Sequence, residues 1–204
     1  MTATAAVSGK SEATQQKLIA AGIELFARGG YEATSTRQVQ EAAGVQRNLI
    51  TYHFGSKEQF WKRCMAELFG GMSASLAPAI EQSKDIEPME RIRFLIRRFV
   101  RASAEHPETV RIMFDEGRCD DWRLDWLVAH YVQPFFGLVE ALYEQGGLRR
   151  RGFTLMQFYY FLVSSASVFA MAPEYRRLSG DDPFAPEFID SQANAVAMLL
   201  TSGA

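Results

Sequence analysis

Several residue types that mark other classes of protein are scarce in these 204 residues. Only two cysteines are present, Cys64 and Cys119, which are too few for a disulfide framework. No group of cysteines and histidines has the spacing of a zinc site. We therefore expect no metal and no cofactor, and we expect a reduced, cytoplasmic protein.

Long apolar runs are also missing. A membrane-spanning helix needs about 18 or more apolar residues, and the longest candidate, residues 158–171, is shorter and contains three serines. The first residues, MTATAAVSGKSEA, lack the apolar segment of a secretory signal. No glycine-rich phosphate loop and no Gly-x-Ser-x-Gly elbow occurs. The sequence therefore predicts no membrane partner and no enzyme activity.

The chain has a small net charge, −2, which is unevenly distributed. Residues 1–63 contain eight Lys/Arg and five Asp/Glu, a net of +3, whereas residues 64–204 contain fourteen and nineteen, a net of −5. A basic head on an acidic body is typical of a protein that contacts phosphates at one end. This signal is weak alone, because a small basic patch also arises by chance.

Residues 34–61 read TSTRQVQEAAGVQRNLITYHFGSKEQFW. Two short helical patterns, residues 36–43 and residues 46–53, flank Gly44, a residue type that tolerates a left-handed turn after a helix. Val45 follows and is suited to fill the corner between the two helices. A helix, a tight turn and a second short helix form a helix-turn-helix, whose second helix lies in the major groove of DNA.

This region resembles the tetracycline-repressor (TetR/AcrR-like) family of bacterial regulators. The resemblance covers about residues 14–61 and includes FARGGYEATSTRQV, the AAGV turn and ITYHFGSKEQF. It implies an all-α fold, in which a fourth helix joins an N-terminal three-helix DNA-binding head to a larger helical body for ligand binding and dimerisation. We assign residues 1–12 to a disordered tail, 13–57 to the helix-turn-helix domain and 58–204 to the effector-binding and dimerisation domain.

The motif and the resemblance together predict the DNA contacts. Arg47 is expected in the first turn of the recognition helix, where its guanidinium can bond guanine O6 and N7. Asn48 can read adenine or bond its own backbone. The resemblance implies phosphate contacts at Tyr52, His53 and Lys57, although His53 can instead pack in the core. The full predicted set is Thr36, Arg37, Gln46, Arg47, Asn48, Thr51, Tyr52, His53 and Lys57.

Four positions differ from the residues usual in the family. Gln46 occupies the place where Ser or Thr would cap the recognition helix, and Gln40 occupies a place commonly held by alanine. Asn48 replaces a small residue or proline, and Thr51 replaces an aromatic residue. We hypothesise that these differences change the operator sequence rather than the fold, and that Gln46, Arg47, Asn48 and Thr51 set base preference.

The remaining pattern is helical. Apolar spacing predicts helices over about residues 14–28, 56–75 or further, 88–105, 107–117, 122–145, 154–171 and 187–202, with a loop at 173–186. Pro78 is expected to kink or end the fourth helix, and Pro134 to interrupt the seventh. Five arginines in residues 91–101 are predicted to form a solvated or salt-bridged face rather than a DNA-binding face.

Two further sites are predicted in the body. The resemblance implies that the last two long helices pair with their copies in a homodimer, which palindromic DNA half-sites also require. The candidate interface residues are Leu155, Leu162, Phe169, Ile189, Val196 and Leu200. Aromatic density predicts an effector pocket, although aromatic residues at helical spacing are more often core. The candidate pocket residues are Arg111, Phe114, Trp122, Trp126, Tyr131, Met156 and Tyr160.

The preferred functional interpretation is a ligand-responsive transcriptional regulator. It would repress from a palindromic double-stranded DNA operator and would be released by a small hydrophobic or aromatic effector. The alternative is a DNA-binding protein of the same fold that is controlled by a protein partner and has no small-molecule ligand. A body without a cavity would favour this alternative. A redox sensor through Cys64 or Cys119 is a minor variant.

Overall fold

The computed structural model describes residues 3–152 and 154–202, and these residues form helices and turns without a strand. The predicted all-α fold class is confirmed. The elements in chain order are α1 (Ala3–Ala33), α2 (Thr36–Ala42), α3 (Leu49–Phe54), α4 (Lys57–Gln82), α5 (Pro88–Glu105), α6 (Pro107–Glu116), α7 (Trp122–Leu127), a π-helical segment (Val128–Val132), α8 (Gln133–Gln145), a 3-10 helix (Leu148–Arg151), α9 (Leu155–Ser164), α10 (Ser167–Ala170), α11 (Ala172–Ser179) and α12 (Pro186–Thr201).

The chain divides into two compact units, which we call the head and the body. The head ends at Gly70 and the body begins at Gly71. The sequence analysis placed the boundary after residue 57, which is at the start of α4, whereas the structure places it after Gly70, within α4. The first turns of α4 belong to the head because Phe60, Trp61 and Cys64 are fully buried there.

The first helix is longer than expected. α1 begins at Ala3, inside the segment 1–12 that we expected to be disordered. This segment contains several alanines, which have the highest helix propensity, and no proline. At the other end Gly30 has φ 75° and ψ 174°, so the regular helix stops at the glycine pair, as the sequence predicted.

A close approach between α1 and α4 lies at the centre of the head. A Cβ atom at Gly22 would lie 2.5 Å from Phe60 Cζ and 2.8 Å from Cys64 Sγ. Only glycine therefore fits at this position without a shift of α4 side chains. The other buried apolar residues of the head include Leu18, Ile19, Phe26, Val39, Ile50, Trp61 and Met65.

The core of the body is organised around α5. This helix turns Ile92, Leu95, Ile96 and Phe99 inward, and it packs along α12. Residues of the other body helices complete the same core, namely Val139, Leu142, Tyr143, Phe158, Leu162, Phe169, Ala193, Val196, Ala197 and Leu200. One continuous apolar core per compact unit is what a domain of this size requires.

The polar side of α5 is salt-bridged, as predicted. Arg98 donates to both carboxylate oxygens of Glu105 at 2.9 Å, and Arg101 Nη2 lies 2.9 Å from Asp190 Oδ1 of α12. Such partly exposed pairs each contribute about 0–1 kcal/mol. They satisfy the arginines within the protein and so argue against a nucleic-acid contact at this face.

Two prolines affect the body helices differently from the prediction. Pro78 lies inside α4, which continues to Gln82, so this proline does not end the helix. The long helix expected over residues 122–145 is divided into α7 and α8 by the π-helical segment at residues 128–132. The irregularity therefore lies before Pro134 and not at the proline itself. Pro134 occupies the first turn of α8, directly after the π-helical segment.

The helix predicted over residues 154–171 is divided into α9 and α10. Ser165 Oγ donates to Leu162 O at 2.6 Å, a local bond that competes with regular helix. The loop expected over residues 173–186 is wrong for its first half, because α11 begins at Ala172 and has Pro173 in its first turn. Among the described residues no single helix is long and apolar enough to cross a membrane, while the bent pair Leu155–Ala170 and Ala172–Ser179, at 72°, meets the length and composition.

Replacing Gly22 by alanine is expected to destabilise the protein by about 1–3 kcal/mol, because the added methyl group collides with Phe60 and Cys64. Chemical denaturation followed by circular dichroism measures the free energy of unfolding. Gly70→Ala is the matched control, since no atom lies within 4 Å of its Cβ position. Alanine there should stabilise α4 by about 0.5–1 kcal/mol. Equal effects of the two substitutions would contradict the close approach.

Candidate nucleic-acid interface

The candidate interface consists of α2, α3 and the turn between them. α2 starts with a complete capping box, in which Ser35 Oγ accepts from Gln38 N (3.2 Å) and Gln38 Oε1 accepts from Ser35 N (2.8 Å). Ser35 is therefore the N-cap of α2, and Thr36 is the first helical residue. Gly44 has φ 64°, the left-handed conformation predicted for the turn.

The recognition helix is shorter than predicted. α3 begins at Leu49, whereas the sequence pattern placed its start at residue 46. Its N-cap, Asn48, has φ 68° and ψ 2° and is the one non-glycine residue with positive φ in the part of the chain that the structure describes. A left-handed residue does not continue a right-handed helix. Gln46 and Arg47 therefore lie in the turn before α3 and not in its first helical turn.

The first turn of α3 is capped from α2. Ile50 N donates to Gln40 Oε1 at 3.2 Å. Gln40 is 5% exposed and Ile50 is fully buried, whereas the Asn48 side chain makes no cap hydrogen bond. Sequence reasoning noted Gln40 only as an unusual residue. One signal in the sequence could have indicated a buried hydrogen bond at Gln40. Its amide directly follows Val39, on the side of α2 that faces the other head helices.

The candidate base-reading side chains all face solvent. Gln46, Arg47, Asn48 and Thr51 are exposed. Tyr52, on the next position of α3, is 80% exposed. The structure thus brings these five predicted residues together on one accessible surface, and none of them supports the core of the head.

Arg37 is exposed but already has a partner on α2. Its Nε lies 2.8 Å from Glu41 Oε1, four residues along the helix. The hydrogen bond and the opposite charge raise the pKa of Arg37 and lower the pKa of the Glu41 carboxyl. Pairs so exposed are weak and are screened by salt. A phosphate can therefore displace Glu41 from Arg37.

His53 and Lys57 are oriented by contacts inside the head. Gln15 Nε2 of α1 lies 3.4 Å from His53 Nδ1, and the imidazole is half-buried. Lys57 Nζ lies 4.0 Å from the centre of the Tyr31 ring, a cation–π contact. Ser56 Oγ accepts from the backbone at the start of α4, as expected of an N-cap. The half-buried ring of His53 is compatible with both roles considered for it.

The body contains a small interior cavity and a larger open cleft. The interior cavity has a volume of about 30 Å³ and is apolar, and it lies between α4, α5, α8 and α9. Its lining residues are Leu76, Ile80, Ile92, Leu95, Ile96, Phe99, Phe135, Leu138, Val139, Leu142, Phe158 and Leu162. The open cleft has a volume of about 280 Å³ and is lined by Arg101, Ala104, Glu105, Phe184, Pro186, Ile189 and Asp190.

The residues predicted to line an effector pocket line neither of these spaces. Phe114, Met156 and Tyr160 are 42%, 49% and 57% exposed, so they face outward. Trp126 and Tyr131 pack on each other with ring centres 5.6 Å apart. The prediction of a pocket from these residues is therefore corrected for the full set, Arg111, Phe114, Trp122, Trp126, Tyr131, Met156 and Tyr160. Aromatic density alone did not distinguish the surface from a cavity.

Most residues predicted to form the dimer interface belong to the core of the protomer. Leu162, Phe169, Val196 and Leu200 are at most 7% exposed, while Leu155 and Ile189 are half-buried against the same core. The predicted residues therefore lie mainly on faces that pack inside the protomer, because the sequence pattern marks an apolar face but not its direction. The outward apolar residues of α9 and α12 are Met156, Tyr160, Phe161, Met198 and Leu199, which are between 49% and 70% exposed.

The two cysteines differ in environment. Cys64 is fully buried, and this burial raises the pKa of its thiol far above the usual range. A buried thiol held in its neutral form does not react readily with oxidants. Cys119 is half-buried, and its Sγ lies 3.7 Å from Asp115 O.

Comparison with known proteins gives consistent matches. Residues 18–64 match the family model described as bacterial regulatory proteins, tetR family. The chain is 22% identical over 142 residues to the "Probable HTH-type transcriptional regulator YttP" of Bacillus subtilis, covering 70% of this chain and 69% of YttP. It is 28% identical over 107 residues to the HTH-type transcriptional regulator RutR of Escherichia coli, covering 52% of this chain but only 47% of RutR.

The structural comparison extends this similarity beyond the head. The fatty acid degradation regulator FadR of Bacillus halodurans has a TM-score of 0.67 and 16% identity, over 93% of this chain and 98% of that protein. At this identity the match shows a shared fold. The fold and the exposed helix-turn-helix define a DNA-binding regulator of transcription. Residues 18–64 match the helix-turn-helix region of the tetR family of bacterial regulators, in agreement with the resemblance seen in the motifs.

Proposed function

We propose that this protein is a cytoplasmic repressor without enzyme activity, which binds a palindromic double-stranded DNA operator as a homodimer. The observation that carries the proposal is the solvent-facing set Gln46, Arg47, Asn48, Thr51 and Tyr52 on a tetR-type head. In a helix-turn-helix these positions face the major groove. Their exposure leaves them available to base edges and phosphates without unfolding of the head.

The roles of the site residues follow from their chemistry. Arg47 donates to guanine O6 and N7, and Asn48 pairs with adenine N6 and N7. Gln46 and Thr51 flank these two and contribute to base preference. Around this surface, phosphates accept from Thr36, Arg37, Tyr52, His53 and Lys57, which fixes the register of the head on the duplex.

Dimerisation is proposed through the outward apolar residues of α9 and α12. Large exposed side chains such as Tyr160, Phe161 and Leu199 are costly to leave in water, and contiguous apolar surface marks interaction sites. Two symmetric copies bring two heads to the two halves of a palindrome. YttP and RutR are both named as HTH-type transcriptional regulators, which supports a regulatory role for this protein.

A small hydrophobic effector is proposed to act through the interior cavity. The cavity lining is entirely apolar, so it favours an apolar ligand over a sugar. Its volume of about 30 Å³ is far below the roughly 300 Å³ of a typical ligand site. An effector must therefore separate α5, α8 and α9, and the energy of that separation shifts the protein toward a state with lower operator affinity.

The same small cavity also supports a second candidate function. A body that is already filled suits a regulator controlled by a protein partner without a small-molecule ligand. The two candidates differ in one measurable property, namely whether any small apolar molecule stabilises the protein.

Arg47→Ala is expected to change the operator sequence that the protein selects. Loss of a bidentate contact to guanine relaxes discrimination at that base pair by about 1–3 kcal/mol. Selection from a randomised operator library before and after the substitution measures the effect. Lys57→Gln serves as the control, because loss of a phosphate contact should weaken binding uniformly and reduce the salt dependence. An unchanged sequence preference in Arg47→Ala would exclude Arg47 as a base-reading residue.

Leu199→Arg is expected to shift the protein from dimer to monomer, since a charged residue is poorly tolerated inside an apolar interface. Analytical ultracentrifugation over a range of concentrations measures the shift, and operator affinity should fall with it. Leu178→Arg is the control, because Leu178 is 82% exposed but lies on α11. A dimer that survives the first substitution, or that is lost equally in both, would contradict an interface at α12.

Val139→Phe should prevent effector binding by filling the cavity, at an overpacking cost of about 1–3 kcal/mol. Thermal shift with medium- and long-chain fatty acids and aromatic carboxylates detects binding, since a ligand at 100 times its Kd stabilises by about 2.7 kcal/mol. Val168→Phe is the control, being half-buried but outside the cavity lining. If no compound raises the Tm of the unaltered protein, control by a protein partner becomes the favoured function.

A further inference from the structure

The recognition helix is capped in an unusual way. The first four N–H groups of a helix lack intrahelical acceptors and are normally satisfied by the N-cap side chain. That arrangement requires an N-cap residue with extended backbone. Asn48, with φ 68° and ψ 2°, is left-handed, and its side chain makes no cap hydrogen bond. α3 therefore begins without the local cap that its N-terminal residue type would suggest.

Gln40 supplies the missing acceptor from another helix. Its Oε1 accepts from Ile50 N at 3.2 Å across ten residues of sequence. Both residues are buried, at 5% and 0% exposure, so water does not compete for this bond. A buried amide is unfavourable unless it is hydrogen-bonded. The side chain of Gln40 and the backbone of α3 thus satisfy each other.

We propose that Gln40 is a positioning residue for DNA sequence recognition. By capping α3 from α2, it fixes the start of the recognition helix relative to the rest of the head. It also removes the need for Gln46 or Asn48 to cap α3, so that both side chains are free to face base edges. This inference rests on the proposed operator binding and assigns Gln40 a role at that same site, without contact to DNA.

The two unusual glutamines in the motif then have one explanation. Gln46 stands where a capping hydroxyl residue is expected, and Gln40 stands where a small residue is expected. The cap has moved from the turn to α2. A capping bond that is lost from position 40 should therefore loosen the turn at residues 46–48, and the effect should appear in discrimination between operators more than in phosphate-driven affinity.

The test compares Gln40→Met, which keeps the size and removes the acceptor, with Gln40→Glu, which keeps an acceptor oxygen. In the full-length protein, amide exchange measured by NMR should be slower at Ile50 than at Thr51. In Gln40→Met the Ile50 amide should exchange about fivefold to tenfold faster, the effect of one lost hydrogen bond. Gln40→Glu should retain the protection.

Operator discrimination is the second readout. The ratio of affinities for the selected operator and its single-base variants should fall about tenfold in Gln40→Met. Gln40→Glu should keep this ratio even if its added negative charge weakens binding to every sequence. Ile19→Val, a conservative change at a buried position of α1, is expected to lower stability without altering the Gln40 bond. It should leave the ratio unchanged, because lower stability alone reduces binding to all operators equally.

The outcomes separate the inference from the function on which it rests. If the unaltered protein selects no DNA sequence, the proposed function fails, whereas the exchange data still report whether Gln40 caps α3. If the protein selects an operator but Gln40→Met keeps both Ile50 protection and the affinity ratio, the inference is overturned. A change in only one readout, or an equal loss of discrimination in Ile19→Val, overturns it as well. If Gln40→Met does not fold, slow Ile50 exchange in the unaltered protein together with retained discrimination in Gln40→Glu supports the inference, and the reverse overturns it.

Discussion

The packing of α4 against the backbone of α1 at Gly22 is the constraint on which the head depends. This contact fixes Phe60, whose ring lies 6.0 Å from Phe26 of α1 and 5.0 Å from Phe54 at the end of α3. The C-terminal end of α3 is thereby anchored through aromatic packing, and its N-terminal end is anchored by the bond from Gln40. A six-residue helix has little stability of its own. Its position is determined by these two anchors, and this is how the core of the head controls a surface made of exposed residues.

Much of the head could be predicted from the sequence because its signals are local. The glycine pair at residues 29–30, the turn at Gly44 and the cap at Ser56 each depend on a residue type that one backbone conformation requires. The start of α3 could not be predicted in this way. Asn48 tolerates both helical and left-handed backbone, and the choice depends on a buried acceptor in another helix. The exposed positions of Arg47 and Thr51 followed from the motif, whereas the contribution of Gln40 required the tertiary structure.

In the body, periodicity located the helices but not their orientation. Apolar spacing correctly gave α5 and α12, yet the residues assigned to the dimer interface are those that α9, α10 and α12 turn toward the core of the protomer. Each helix has apolar residues on more than one side, so the inward side is decided by which neighbours cover it. The aromatic residues assigned to a pocket failed for the same reason. A cavity is a property of how several helices fit together, and a single helical pattern contains no information about unfilled space.

If the head binds DNA as proposed, the ion pair between Arg37 and Glu41 has a consequence for its binding to non-specific sequence. An arginine that is already ion-paired must give up its carboxylate partner when it binds a phosphate. The net release of counterions is therefore smaller than for an unpaired cation. Such a head adheres less strongly to random sequence than its count of basic residues suggests. Weak adherence shortens each non-specific encounter and leaves more of the residence time to be set by base contacts. In the proposed complex with DNA, Glu41 on α2 would thus limit non-specific retention at the expense of total affinity.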